Sequence, residues 1–148
     1  MTTGIIRKPL PAEVESIIQI WLDGNMLAHP FIQPDYWLCH IGYMREALPL
    51  SEVYISKVEE KIAGFVGLGG DYIAGLFVGK QYQSQGIGTS LIEFIKQQHF
   101  TLTLAVYKKN EKAIRLYSKH KFVVMEERID ANTNEVELLM RWNRICPI

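Results

Sequence analysis

From residue 53 to residue 78 the chain alternates short apolar runs with polar turns. Val53, Tyr54 and Ile55 are followed by the turn Glu59-Glu60-Lys61, then by Ile62, Ala63, Phe65, Val66 and Leu68. After Gly69-Gly70-Asp71 come Ile73, Ala74, Leu76, Phe77 and Val78. Runs of this length bounded by turn residues predict three strands, over 53–58, 62–69 and 72–78, joined as a meander. Upstream, Val14, Ile17, Ile18 and Trp21 recur at the spacing of one helical face and predict a helix over 12–22, with Pro11 tolerated at its start. A first strand over 3–7 precedes it. Residues 29–34 form a connector whose backbone Pro30 and Pro34 fix locally, and a second helix is expected over 36–47. Downstream, Leu91, Ile92, Phe94 and Ile95 mark an amphipathic helix over 86–97. A strand over 102–106, a helix over 110–120 and two strands over 122–127 and 135–142 complete an α+β alternation without repeats or low-complexity linkers.

The stretch Gln83-Ser84-Gln85-Gly86-Ile87-Gly88-Thr89 lies between a strand and a helix start. Two glycines admit backbone N–H groups to a ligand, and a helix N-terminus adds unpaired N–H groups and the positive end of its dipole. The pattern suits a diphosphate. A P-loop requires Gly-Lys-Ser/Thr, whereas Gly88 is followed by Thr89-Ser90. A dinucleotide fingerprint requires a small residue at position 91, which is Leu, and an acidic residue at the end of the next strand, which is missing after Val106.

Gln83-x-x-Gly86-x-Gly88 after a strand ending Phe77-Val78 resembles the acetyl-coenzyme A pyrophosphate loop of the GCN5-related N-acetyltransferase (GNAT) family. A second segment strengthens the likeness: strand 102–106, then Asn110, Ala113, Leu116-Tyr117 and Phe122. The resemblance implies an α+β GNAT fold with a central mixed sheet of about seven strands and about four helices, splayed between the fourth strand (72–78) and the fifth (102–106). It further implies acetyl-coenzyme A as co-substrate. Backbone groups of Leu76, Phe77 and Val78 would meet the pantetheine, and Ser84, Gln85, Gly86, Ile87, Gly88 and Thr89, led by Gln83, the pyrophosphate. Asn110 would contact the pantetheine arm, and Tyr117 would be the catalytic acid that protonates the departing thiolate. On its own residues, Asn110 before Glu111-Lys112-Ala113 is equally a helix N-cap, and Tyr117 equally a core aromatic at helical spacing from Ile114. Two positions depart from the family. His120-Lys121-Phe122 lacks the usual glycine before Phe, so a non-glycine residue would take the left-handed helix end. Ala105 stands where several members carry a Glu used as general base.

Trp21, His29, Phe31, Tyr36 and Trp37 gather where the family builds its acceptor floor, and His29, Phe31, Tyr36 and Tyr72 are the candidate substrate-side residues. The same aromatics also read as a mini-core between helices. A neutral His29 would be able to accept a proton near neutral pH, or simply to bond backbone. Asp71 reads as a turn residue or as an attractor for a cationic amine. Ile20-Trp21-Leu22, His29-Pro30-Phe31-Ile32, Tyr36-Trp37 and Val106-Tyr107-Lys108-Lys109-Asn110 resemble a narrower group of small bacterial members, which implies acetylation of protein lysine side chains.

At 148 residues and 48% hydrophobic, the chain is expected to form a single N-acetyltransferase domain over 1–148. Sixteen Lys+Arg balance sixteen Asp+Glu, so no bulk field favours nucleic acid. Lys108, Lys109, Lys112 and Arg115 cluster locally, as a solvated face or as an attractor for coenzyme A phosphates. No signal peptide or membrane span is legible, and Cys39 and Cys146 suggest neither a disulfide framework nor a metal site, so a cytoplasmic setting without metal is expected. The expected activity is acetyl transfer to a primary amine, foremost a protein lysine. A small-molecule or N-terminal amine acceptor, and a non-catalytic acyl-coenzyme A sensor, are the alternatives. The protein is expected as a monomer or homodimer.

Overall fold

The computed structural model describes residues 4–145, so Thr3 of the expected first strand and Cys146 lie outside the described residues. In chain order the elements are β1 (Ile5–Arg7), α1 (Val14–Ala28), α2 (Pro34–Leu38), α3 (Ile41–Ala47), β2 (Glu52–Val58), β3 (Lys61–Gly69) and β4 (Tyr72–Val78). They continue with α4 (Ile87–Lys96), β5 (Thr101–Tyr107), α5 (Glu111–Lys119), β6 (Val123–Asp130) and β7 (Glu135–Asn143). One seven-stranded sheet has the order β1-β2-β3-β4-β5-β7-β6. Among the described strands only β4 and β5 pair in parallel, because α4 carries the chain across from one to the other.

Strand alternation sorts the apolar side chains onto two faces. Val53, Ile55 and Phe65 pack with Ile17 and Ile18 of α1 on one face. Tyr54, Ala63, Val66, Leu102, Leu104 and Met140 pack with Ile87, Leu91, Ile92 and Ile95 of α4 and Tyr117 of α5 on the other. The mixed sheet with helices on both faces is the expected α+β architecture.

Two helices differ from the sequence expectation. Helix α1 runs past the expected end at residue 22 to Ala28, through Asp23-Gly24-Asn25. Tertiary contact carries the helix on: Asn25 is buried with its amide donating to the Trp21 carbonyl at 3.0 Å, and Gly24 faces Phe77 so closely that a Cβ would lie 2.7 Å from the ring. The single helix expected over 36–47 is broken at Cys39-His40 into α2 and α3. There His40 Nδ1 takes the Tyr36 carbonyl at 2.5 Å, competing for the acceptor that a continuous helix would use. Strand β6 extends beyond the expected 127 to Asp130 because its ladder with β7 continues through Ile129↔Val136 and Asp130↔Glu135.

Candidate active site

Strands β4 and β5 pair only at Tyr72↔Thr103 and Ile73↔Leu104, although both run on for several residues. Opposite β3, Ile73 faces Leu68 and Gly75 faces Gly67, which leaves Ala74 as a bulge where the strands part. Backbone groups beyond it have no ladder partner across the gap. The gap opens into a cleft of about 850 Å³ reached by both helical layers. Its wall includes Leu76, Phe77 and Val78, the whole loop from Gln83 to Thr89, Asn110, Tyr117, His29, Tyr36 and Tyr72. Nearly every residue singled out from the sequence therefore lines one cavity.

The loop is shaped by two residues of positive φ, Ser84 at 63° and Gly86 at 87°. Gly86 caps α4 in the left-handed region without any side-chain cap, and the first helical bond runs from Ser90 N to its carbonyl. The N–H groups of Ile87, Gly88 and Thr89 thus have no acceptor within the helix. Ile87 contributes backbone only, since its side chain is fully buried in the core. Gln83 braces the loop: its amide donates to the Val78 carbonyl at 3.3 Å and its carbonyl oxygen accepts from Lys112 Nζ at 2.6 Å. Gln85 donates to the Gln81 carbonyl at 3.0 Å, and Thr89 Oγ1 lies 3.0 Å from His120 Nε2. Lys112 and Lys119 are the cationic side chains of the wall, whereas Lys108 and Lys109 pair with Glu127 and Glu135.

Asn110 takes the N-cap role that its own residues offered, and it also lines the cleft. Its Oδ1 caps α5, accepting from Ala113 N at 3.3 Å, while its Nδ2 reaches His29 Nε2 at 3.3 Å at the cleft wall. Tyr117 also has two sides, one packed edge-on to Phe122 at 5.6 Å and the other lining the cleft. Burial raises its pKa well above the usual tyrosine value, with the nearby Tyr72 adding to the shift. Its hydroxyl therefore stays protonated at any physiological pH. The left-handed helix end falls on Lys121 at φ 72°, as the missing glycine led one to expect.

On the acceptor side, His29 stacks on Trp37 with ring centroids 5.4 Å apart and meets Phe31 and Tyr107 edge-on. Burial lowers its pKa to about 4, so the ring is neutral. Because Asn110 Nδ2 can only donate, Nε2 of His29 accepts and the proton sits on Nδ1. Nδ1 is buried and has no hydrogen-bond partner among the described residues. The ring has no lone pair left for a substrate proton; it positions Asn110 instead. Phe31 lies outside the cleft wall, behind His29 and Tyr107, with Lys109 Nζ 5.1 Å above its ring. Tyr36 is half-buried, its pKa raised by burial and by Asp130. Tyr72 is 40% exposed, its pKa raised by burial and by Glu137. Asp71 faces away from the cleft and holds His99 Nδ1 at 2.8 Å.

Glu137 is a charged wall residue that the sequence reading missed. In Glu135-Val136-Glu137-Leu138 it looks like any outward-facing strand carboxylate, and only the β5–β7 register, Tyr107↔Glu137, brings it to the cleft. Among the described residues no cluster of His, Cys, Asp and Glu is arranged to hold a metal ion.

Residues 14–122, most of the chain, match the Acetyltransferase (GNAT) family. The chain belongs to the GNAT family. The GNAT chain is 31% identical over 140 residues to the peptidyl-lysine N-acetyltransferase YiaC of Escherichia coli K12, covering 93% of this chain and 96% of YiaC. To the peptidyl-lysine N-acetyltransferase YjaB of the same organism it is 28% identical over 120 residues, 80% of this chain and 82% of YjaB. The solution structure of apo YjaB from Escherichia coli superposes with a TM-score of 0.82 at 25% identity, covering 93% of this chain and 95% of that one. This GNAT protein is accordingly an acyltransferase.

Proposed function

We propose that this protein transfers the acetyl group of acetyl-coenzyme A to lysine side chains of proteins, directly and within a ternary complex. The observation that carries the reading is the cleft where β4 and β5 part, with a glycine-capped helix start and a buried tyrosine hydroxyl in the same wall. The peptidyl-lysine acceptors named for YiaC and YjaB supply the substrate class. The residues present fit the co-substrate. Three uncapped N–H groups at the start of α4, with Lys112 and Lys119 nearby, suit a diphosphate. The unpaired edge of β4 beyond Ala74 suits an amide-bearing arm that can pair with backbone as a strand would.

Bound acetyl-coenzyme A supplies the activated acyl group. The chain's own part is to align it along β4, polarise the carbonyl through backbone N–H donors, and exclude water with the Trp21, Trp37 and Tyr36 walls. Tyr117 supplies the proton to the leaving sulfur; its raised pKa fits a group that holds its proton until the thiolate, a strong base, appears. Residue 105 carries only a methyl group in this wall and takes no part in proton transfer.

Free-thiol release from acetyl-coenzyme A, followed against lysine peptides, N-terminal peptides, polyamines and aminoglycosides, tests the assignment. Turnover on lysine peptides that drops about a hundredfold in Tyr117→Phe, with coenzyme A affinity unchanged, is the expected outcome. Full turnover in Tyr117→Phe refutes the acid role, and turnover confined to another amine class refutes the substrate. Tight coenzyme A binding with no turnover on any amine favours a sensor instead.

A further inference from the structure

The attacking nitrogen arrives as an ammonium and must lose a proton before it has a lone pair, yet Ala105 offers no acceptor and His29 has its one lone pair engaged. Among the described residues that line the cleft, Glu137 is the one carboxylate. Register explains its placement. In the antiparallel β5–β7 ladder Ala105 faces Leu139 and Tyr107 faces Glu137, so residues 105 and 137 share one face of the sheet as diagonal neighbours. Ala105 presents only a methyl group to the same cleft. Arg128, opposite Glu137 on β6, holds Oε1 through Nε at 2.9 Å, and Oε2 has no hydrogen bond from the described residues. With its side chain 17% exposed, Glu137 stands between the cleft and solvent. Tyr72, Glu137 and Tyr117 line the same cleft.

We propose that Glu137 is the proton acceptor for the incoming amine, in place of the carboxylate that position 105 lacks, with Arg128 as its positioning residue. The inference rests on the acetyltransferase reading above. An N–H bond of the ammonium breaks and its proton passes to Glu137, which returns it to solvent at the cleft mouth. The freed lone pair forms the N–C bond and the C–S bond breaks, with the sulfur taking the Tyr117 proton. The second proton shed by the nitrogen, as the amide forms, restores Tyr117. The balance is one ammonium and one thioester giving one amide, one thiol and one proton. The groups facing Glu137 are Arg128 and Asp130 from β6, Tyr107 from β5, Tyr72 from β4 and Tyr36 from α2, while Glu135 of its own strand is occupied by Lys109 at 3.0 Å. Arg128 is the one cation among them, held to the carboxylate at 2.9 Å.

The test is the pH dependence of kcat/KM for the amine in wild type, Glu137→Gln and Arg128→Gln, with coenzyme A binding and thermal melts as checks that each variant folds. An enzyme with a carboxylate base uses the ammonium form, so its profile is level from about pH 6 to about pH 9, below the lysine pKa of about 10.4. Without that base only the free amine reacts. Glu137→Gln is therefore expected to lose about a hundredfold or more at pH 7 and to climb roughly tenfold per pH unit through the same range. Arg128→Gln, which keeps the carboxylate, retains the level profile at reduced kcat. Parallel profiles in wild type and Glu137→Gln overturn the proposal. So does an identical loss in Glu137→Gln and Arg128→Gln, which marks a purely structural ion pair, or a change in amine KM alone. If wild type acetylates a different amine class, the lysine reading fails, and the same profiles on that amine still decide the role of Glu137.

Discussion

His29 shows how one side chain is committed by its surroundings. Stacked on Trp37, with Nε2 accepting from Asn110, it is neutral in the fold, and its pKa is about 4 against an ordinary 6.5. Between those values the unfolded chain binds a proton that the folded one does not, so the sign is fixed: stability is complete above about pH 6.5 and falls as pH drops toward 4. At 1.36 kcal/mol per unit, the effect reaches about 3 kcal/mol at the acid end. Urea melts of wild type and His29→Gln from pH 7 to pH 4 should show wild type losing stability faster by that order. Parallel curves would contradict the neutral, buried assignment. The same ring sets the orientation of Asn110, which ties the stability of this corner to the geometry of the cleft.

At the scale of the element, α4 matters most at its first turn. Gly86 sits at φ 87°, where a side chain costs about 1–2 kcal/mol, and the N–H groups that follow it are uncapped. Gly86→Val is expected to remove measurable coenzyme A binding by calorimetry while the rest of the helix, with Leu91, Ile92 and Ile95 fully buried, keeps the fold intact. Retained affinity would separate the loop from the ligand. Helix α1 illustrates the opposite dependence. Its last turns are held by Phe77, which lies against Gly24 and stacks on Phe65 with centroids 5.6 Å apart. The strand that lines the cleft thereby also sets where this helix runs.

For the whole molecule, the parallel β4–β5 pair is the weak seam. Two residue pairs join the β1–β4 half of the sheet to the β5–β7–β6 half across it, where other ladders in the sheet pair along most of their strands. A ligand that lies along the seam and contacts both sides stabilises the folded state by mass action, about 2.7 kcal/mol at a hundredfold excess over Kd. Coenzyme A should therefore raise the melting temperature by several degrees, and Gly86→Val should abolish the rise. Unchanged melting at saturating coenzyme A would place the ligand elsewhere.

The amino-acid sequence by itself determined the alternation of elements, because apolar period and turn residues are local: all seven strands fall where the pattern puts them, within a few residues. It also determined the family, through the glycine turn and the Asn110 to Phe122 segment, whose spacing is itself a local quantity. Locally similar residues were sorted only by tertiary structure. The first helix is expected to end at residue 22 until Phe77 and burial hold Asp23-Gly24-Asn25 helical, and 36–47 reads as one helix until His40 takes the Tyr36 carbonyl. Phe31 and His29 look alike as acceptor-floor aromatics, but packing turns one behind the wall and spends the other's lone pair on Asn110. Glu137 was illegible for a stricter reason: its place in the cleft follows from pairing with Tyr107, thirty positions away in sequence. Such a register is fixed by the assembled sheet, and no local pattern encodes which carboxylate it carries to the gap.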